Sequence, residues 1–364
     1  MTAGKNSTNL FVARWLPSCR VIFFQRIVLS PFTEIVELKD KPLDGDEEID
    51  LENHEECPDI KLSLGVRIAN IVAIVGPFLG VIAAMTLLWG WGFSWQHLVI
   101  MIVMYIITGM GITIGFHRYF THKSFETIRP VKWALAIFGS MAVEGPLLKW
   151  VAQHRRHHQH SDHDDDPHSP HLHGHGFKGL VLGMWHSHMG WIFQPDVPGL
   201  SKYVADLVAD RSIRVISKLF PLWVVIGLVL PTLIGGLATW SWKGAILGLV
   251  WGGLVRIFVV HHITWSINSV CHIWGTQPFR SHDHSKNNPI FGVLAFGEGW
   301  HNNHHAFPTS ARHGLRWWEF DSSYIVIKLM EKIGLVYNVR VPTPQRMAAK
   351  LKTARPETPD ELNT

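Results

Sequence analysis

Long apolar runs alternate with polar stretches along this chain, and the runs are too long for the helices of a soluble core. Four of them reach the ~20 residues needed to cross a ~30 Å hydrocarbon layer. They lie at about Val66 to Trp91, Trp95 to Phe116, Ile213 to Leu237 and Trp242 to Asn268. The second reads WQHLVIMIVMYIITGMGITIGF; the third has VVIGLVLPTLIGGL at its centre. Gly and Pro inside such runs are tolerated in lipid-embedded helices. The gaps within each pair are short, with Lys243 the one basic residue in the later gap. This pattern predicts an all-α integral membrane protein with four transmembrane helices in two hairpins.

Basic residues fix the orientation. Arg118, Lys123, Arg129, Lys132, Lys149, Arg155 and Arg156 all fall between the second and third runs. The positive-inside rule makes that face cytoplasmic and puts both termini on it. Segment 131–153 (VKWALAIFGSMAVEGPLLKWVAQ) is apolar but interrupted by Glu144 and Pro146. It is predicted to be one interfacial helix, because a fifth span would carry the following histidines to the opposite face. Residues 1–64 form an N-terminal extension, predicted to be flexible. Its first part, with four basic residues and no acid up to position 33, is transit-like or interfacial. Its acidic second part (DGDEEIDLENHEE) reads as a solvated linker. Residues 65–340 form the membrane domain, and 341–364 a disordered tail.

Composition narrows the function. The chain is 47% hydrophobic and only 17% charged, and the net charge of +4 forms no basic stripe, so nucleic acid is excluded as a partner. Cys19, Cys57 and Cys271 are too scattered for a disulfide framework or a thiolate metal site, and read as reduced structural residues. The 24 histidines are the anomaly. HRYFTH places His117 and His122 after the second run; HRRHH supplies His154, His157 and His158 before the third. His272 ends the fourth run, and GEGWHNNHHAFP supplies His301, His304 and His305 beyond it. Topology puts every one of these on the same face.

Their spacing points to metal. Positions i, i+3 and i+4 are helical neighbours, so each triplet aligns three imidazoles that are able to converge. The spacing of five in HRYFTH leaves its two side chains ~140° apart on an α-helix. Either the helix unwinds there or the two rings serve different ions. Eight nitrogens are too many for one ion and suit two. Asn268 and His272 are i, i+4 and face the same way. His272 completes a nine-histidine set, and Asn268 reaches a metal directly or through water. The clusters contain no Cys, which excludes iron–sulfur and thiolate zinc sites. A four-coordinate zinc needs fewer ligands, and haem would draw its axial histidines from within the helices. Dinuclear iron remains by elimination. Asp162, Asp166 and Glu298 are candidates to orient the imidazole N–H groups. His54, His97 and His313 read as inert surface histidines. His160, His163, His168, His171, His173 and His175 read mostly as a polar loop.

HRYFTH, HRRHH and GEGWHNNHH resemble the three histidine boxes of membrane fatty acid desaturases. The flanks GFHRYFTHKSF, Asp166-Pro167-His168, Ser187-His188-Met189-Gly190-Trp191, Asn268-Ser269-Val270-Cys271-His272 and AFPTSARHGLRWWEFD resemble the Δ9, stearoyl-type acyl desaturases, especially bacterial ones. The resemblance covers about 65–340. It implies four spans capped by a cytosolic domain, with two irons held by the nine histidines and by Asn268 through water. It also implies that Trp265 lines the acyl site. The reactants it implies are a saturated fatty acyl chain held at the membrane, O2, and electrons from an external ferredoxin or cytochrome b-type protein with its reductase. The bacterial likeness implies an inner membrane rather than ER or plastid. Ala152 and Gln153 stand where animal acyl-CoA enzymes carry an Arg-Asp pair, and WIFQPDVPG lacks their Arg-Lys pair. CoA, lipid and carrier protein therefore all stay open as the acyl carrier.

An alkyl chain has no acidic proton, so an oxidant is required and acid–base chemistry is insufficient. Related histidine-box enzymes hydroxylate a lipid instead; the flanks favour desaturation. A metal-transport protein would need ionisable residues along its spans. Only the fourth run has them, as Arg256, His261 and His262.

Overall fold

In the computed structural model the described residues are 62–88, 93–194 and 199–352. The expected N-terminal extension lies outside them apart from 62–64, and so do residues 353–364. The protein is mostly helical. Helix α1 spans Leu64–Leu88 and α2 spans Trp95–Met110, continuing without interruption into a π-helical stretch, Gly111–Thr121. Helices α3 (Arg129–Ser140), α4 (Leu147–His160) and α5 (Gly176–His188) follow, then α6 (Ala205–Ala209) and α7 (Arg211–Lys218). Helix α8 is Phe220–Thr239. Helices α9 (Trp242–Gly248) and α10 (Arg256–Ile273) are joined by a second π-helical stretch, Leu249–Val255. Helices α11 (Pro289–Leu294), α12 (His301–Ala306) and α13 (Ser322–Lys332) complete the domain. A two-residue strand, Glu126–Thr127, pairs antiparallel with Val336–Tyr337 and ties the last segment to the first loop.

Four helical stretches among the described residues are long and apolar enough to cross a membrane: Leu64–Leu87, Trp95–Thr121, Phe220–Thr239 and Trp242–Ile273. Only 17% of the most apolar window of the first and of the third is buried, against 50% and 67% for the second and fourth. The first and third therefore present Ile71, Val72, Phe78, Leu79, Val225 and Leu233 outward, a surface that water would not tolerate and lipid would. The second and fourth form the inner pair. Their first turns are joined by His97, whose Nδ1 lies 2.6 Å from Ser94 Oγ and whose Nε2 lies 3.0 Å from Gly244 O. His97 is 1% exposed, so its reading as an inert surface histidine is corrected.

Three boundaries differ from expectation. The third span begins at Phe220, not Ile213. Asp210 caps a separate helix, α7, by accepting from Ser212 N and Ile213 N, and α8 starts with a proline in its first turn. Ile213 and Ile216 pack into the core while Arg214 and Lys218 stay out of the span. The apolar segment 131–153 is two helices. It breaks at 141–146, where Val143 (φ 66°) and Gly145 (φ 109°) are left-handed and Pro146 restarts the chain. The tail expected from 341 contains a short helix, Pro344–Lys350, and Lys350 Nζ donates to Ala306 O at 2.6 Å.

The break at 141–146 is held by the fourth span. Arg256, 0% exposed, donates from Nη1 to Met141 O (2.7 Å) and from Nη2 to Gly227 O (2.8 Å). One turn further, His261 Nε2 meets Ala142 O and Val143 O at 3.1 and 3.0 Å. Thr264 Oγ1 then donates to Glu144 Oε1 at 2.6 Å. These contacts set the direction in which α4 leaves, and α4 carries three of the candidate histidines.

The inner span and α3 touch backbone to backbone. A Cβ on Gly111 would sit 2.2 Å from Gly139 N, which no side-chain motion relieves. Gly111→Ala is expected to cost about 1–3 kcal/mol through overpacking. Thermal unfolding in detergent would read this as a lowered midpoint; an unchanged midpoint would contradict the contact.

Candidate metal centre

The nine candidate histidines arrive from four places. His117 and His122 come from the π-helical end of the second span and the residue capping it; His154, His157 and His158 from α4. His272 comes from the last turn of α10; His301, His304 and His305 from α12. Their nitrogens form two groups, each with all its candidate ligand atoms within 4.8 Å of one another. His117, His122, His154, His158 and His304 make the first; His157, His272, His301 and His305 make the second.

Local winding explains the sorting. A π-helix closes i→i+5 turns, and the His122 amide donates to His117 O at 3.1 Å. The two rings, which α-helical winding would separate, therefore meet with centroids 4.8 Å apart. The triplets do not each converge on one point. In HRRHH the i, i+4 pair His154 and His158 stays together while His157 turns to the other group. In HNNHH, His301 and His305 stay together and His304 departs. On an α-helix i+4 lies ~40° to one side of i and i+3 ~60° to the other, so each triplet supplies both groups.

The nitrogens face one another closely. Nε2–Nε2 distances are 3.0 Å for His117–His304, 2.9 Å for His158–His304, 3.2 Å for His154–His158 and 3.1 Å for His272–His301. The buried Nε2 atoms of His122 and His305 have no protein partner. Carboxylates occupy the opposite ring nitrogen of four of these residues. His117 Nδ1 lies 2.6 Å from Glu298, His157 Nδ1 2.9 Å from Asp166, His272 Nδ1 2.8 Å from Asp162, and His305 Nδ1 2.5 Å from Asp283. An Nδ1–H donated to a carboxylate leaves a lone pair on Nε2. In none of the four close pairs is a carboxylate bound to both rings, so one ring of each pair is free to donate its Nε2–H to the other, and a cation set between them would instead draw a lone pair from each.

Burial keeps five of the imidazoles neutral. It pushes His122, His154, His158, His301 and His304 well below the usual histidine range, and neighbouring imidazoles push the same way. The acids go down despite burial, which alone would raise them. His272 and the His284 amide hold Asp162 low, His157 holds Asp166 low, and His305 and Ser285 hold Asp283 low. Glu298 is held low by Arg118, His117 and His313.

Asp162, Asp166 and Glu298 each lie within 3 Å of an imidazole Nδ1. Asp283 was missed. It lies in a loop with no box pattern, and its one local signal is Ser285, which donates to it from both N and Oγ. His313 was read as inert, yet it is 0% exposed, 3.2 Å from Glu298, and its ring centroid is 4.5 Å from that of His304. His168 is likewise buried, its ring centroid 4.3 Å from that of His157. The two asparagines of HNNHH point away from the nitrogens. Asn302 binds Phe279 N and O, and Asn303 binds Asn287, Glu319 and His313 O, anchoring the short α12. Gly297 (φ 108°) turns the chain before Glu298, and a Cβ there would meet the Asp321 carboxylate at 2.3 Å.

Asn268 lies one turn before His272 and is half-buried. Trp265, 5% exposed, stacks on His261 (4.7 Å) and meets His262 and His188 edge-on. Trp150 stacks on His154 at 4.9 Å and donates to Glu144 Oε2 at 3.0 Å. Cys271 is a buried free thiol.

Fold and site together define a class: a membrane-spanning helical protein that gathers histidines from distant segments into a buried cage. The chain matches the fatty acid desaturase family over residues 93–340, and it belongs to that family. It is 44% identical over 276 residues to the hex-5-enoyl-[acyl-carrier protein] acetylenase of Moorena producens, covering 75% of this chain and 86% of that protein. It is 40% identical over 267 residues to the chloroplastic palmitoyl-monogalactosyldiacylglycerol delta-7 desaturase of Arabidopsis thaliana, covering 70% and 66%. It is 38% identical over 252 residues to the sn-1 stearoyl-lipid 9-desaturase of Anabaena variabilis, covering 68% and 86%. The protein is an oxidoreductase that acts on acyl chains.

Burial raises Glu144 from its ordinary 4.5 to about 7, against the lowering donors Thr264 and Trp150. A carboxyl raised on folding stabilises the fold fully at low pH, and that contribution fades as pH climbs from about 4.5 through about 7. The midpoint of Glu144→Gln relative to wild type is therefore expected to rise between pH 5 and pH 8, on top of the common gain that the buried neutral histidines give both proteins as pH climbs through about 6.5. Parallel slopes for the two proteins would refute this.

Proposed function

We propose that the chain is an O2-dependent Δ9 acyl desaturase that places a cis double bond in a saturated acyl chain. The observation that carries this reading is the pair of nitrogen groups with four carboxylates behind them. Two divalent ions bring four positive charges, and Asp162, Asp166, Asp283 and Glu298 bring four negative ones. Neutral histidines alone would leave that charge uncompensated in a buried site, which is costly. The all-imidazole donor set, with no thiolate among it, would suit iron.

His117, His122, His154, His158 and His304 would hold one iron. His157, His272, His301 and His305 would hold the other, with Asn268 reaching it through water. The iron pair, when bound, supplies the oxidising power toward O2 that no side chain has. The chain's own residues do the rest. The four carboxylates fix the imidazole tautomers, and α4 and α12 hold the cage rigid. Trp265 lines the acyl chain as it passes under the nitrogens. The overall reaction consumes one saturated acyl group, O2, two electrons and two protons, and yields the alkene and two waters. A separate ferredoxin or cytochrome b-type donor supplies the electrons.

The two cyanobacterial relatives named sn-1 stearoyl-lipid 9-desaturase support the Δ9 position and a lipid-linked substrate. Ala152 supports the same carrier: it is buried in the apolar core where a CoA-binding residue would need an exposed charge. Residues 65–340 form the catalytic domain, preceded and followed by extensions. The cage and both termini face the cytoplasm, in a bacterial inner membrane.

The test is lipid profiling of a desaturase-deficient host expressing the chain, with double bonds located by mass spectrometry. Wild type is expected to add a Δ9 alkene. His304→Ala, inserted in the membrane at the wild-type level, is expected to lose at least ~100-fold of it. Unsaturated product at the wild-type level in that variant would sink the assignment.

A further inference from the structure

The two nitrogen groups differ in charge and in burial. Three of the four Nδ1-bound carboxylates stand behind the second group: Asp166 on His157, Asp162 on His272 and Asp283 on His305. Each is further fixed by donors of its own. Asp166 accepts from the Asp162 and His168 amides, Asp162 from the His284 amide and Ser169 Oγ, and Asp283 from Ser285 N and Oγ. The first group has one such carboxylate, Glu298, and it is shared. Its Oε2 lies 2.6 Å from His117 and 3.2 Å from His313, and its Oε1 lies 3.2 Å from Arg118 Nη1. Arg118 also binds Asp321 at 3.1 Å, so Arg118, Glu298 and Asp321 together leave a single negative charge there. Every residue of the second group is buried, whereas His122, His154 and His158 of the first are partly open.

We propose that the two metal positions are inequivalent, the His157–His272–His301–His305 position holding its ion more tightly and filling first. This rests on the dinuclear reading above. The first group has one more histidine, but that ligand is neutral. The second group has two more undiluted carboxylates, each one imidazole away from its ion. Carboxylate partners of ligating histidines are worth roughly 10–100-fold in metal affinity each, so the acids decide the order. Lower solvent access to the second group acts the same way, because water and chelators reach its ion last. Arg118, second residue of the HRYFTH box, then has a role unlike that of its histidine neighbours. Shared between Glu298 and Asp321, it leaves one net negative charge behind the first position and so keeps that position weaker.

The experiment uses the full-length protein in detergent, loaded anaerobically with ferrous iron. Metal per chain is counted by mass spectrometry, and release to a ferrous chelator is followed by absorbance. Wild type is expected to hold two irons and to release them in two phases of equal amplitude, separated in rate by ~100-fold or more. Asp283→Asn and, independently, Asp162→Asn are expected to speed the slow phase by ~10–100-fold and leave the fast phase in place. Glu298→Gln is expected to move only the fast phase. Unchanged thermal unfolding of each metal-free variant certifies its fold. Two irons released at one rate, or Asp283→Asn and Asp162→Asn acting on the fast phase alone, would overturn the proposal. Saturation at fewer than two irons in wild type would overturn the dinuclear reading, and this inference with it.

Discussion

Imidazole nitrogens crowded together away from water are the constraint on which the rest of the structure depends. A neutral imidazole has one N–H and one lone pair, and four Nδ1 atoms here lie against carboxylates. Nε2 atoms meet across about 3 Å in a buried site. A cation between them would be held by their lone pairs, and the acids behind the rings would keep the total near neutral. The apolar spans, the short α12 and the hydrogen-bonded asparagines all serve to hold rings in an arrangement that rings alone would not choose.

Backbone irregularity is concentrated where that arrangement demands it. The second span abandons α-helical winding at Gly111, just where two histidines five residues apart must converge. The 141–146 break aims α4 at the cage, and its carbonyls are answered by Arg256 and His261 from the fourth span. Arg256 sits in a span without a carboxylate on its guanidinium among the contacts described, so backbone carbonyls carry its charge. Asp162 (φ 61°) and Gly297 (φ 108°) are left-handed beside the carboxylates they carry or precede. The outer spans α1 and α8, which face away from the cage, keep ordinary helical winding despite Pro77 and Pro231.

Membership in the fatty acid desaturase family agrees with this division between a lipid-facing scaffold and a polar cage. The relatives differ in the chain they are named for and in the position they modify.

Much of this was legible in the sequence because it depends on short-range pattern. Four apolar runs declare four helices through length alone, and the histidines announce themselves by spacing and by lying on one face. Hydropathy did not show where the third span begins, because α7 is apolar on its buried side and a cap plus a proline separate it from the span. Spacing by itself also misassigned the triplets. It says that i, i+3 and i+4 are neighbours, not which of two centres each ring faces, since that depends on where α4 and α12 lie in space. Asp283, His313 and His97 carry no sequence signal for their roles, because each acquires its partner from a segment remote in the chain or from a loop without a motif. The sequence by itself determined the helices and the class of chemistry, both properties of composition and local period. Only the tertiary structure decided which nitrogens share a centre and which acids stand behind them, because charge compensation is a matter of distance in space.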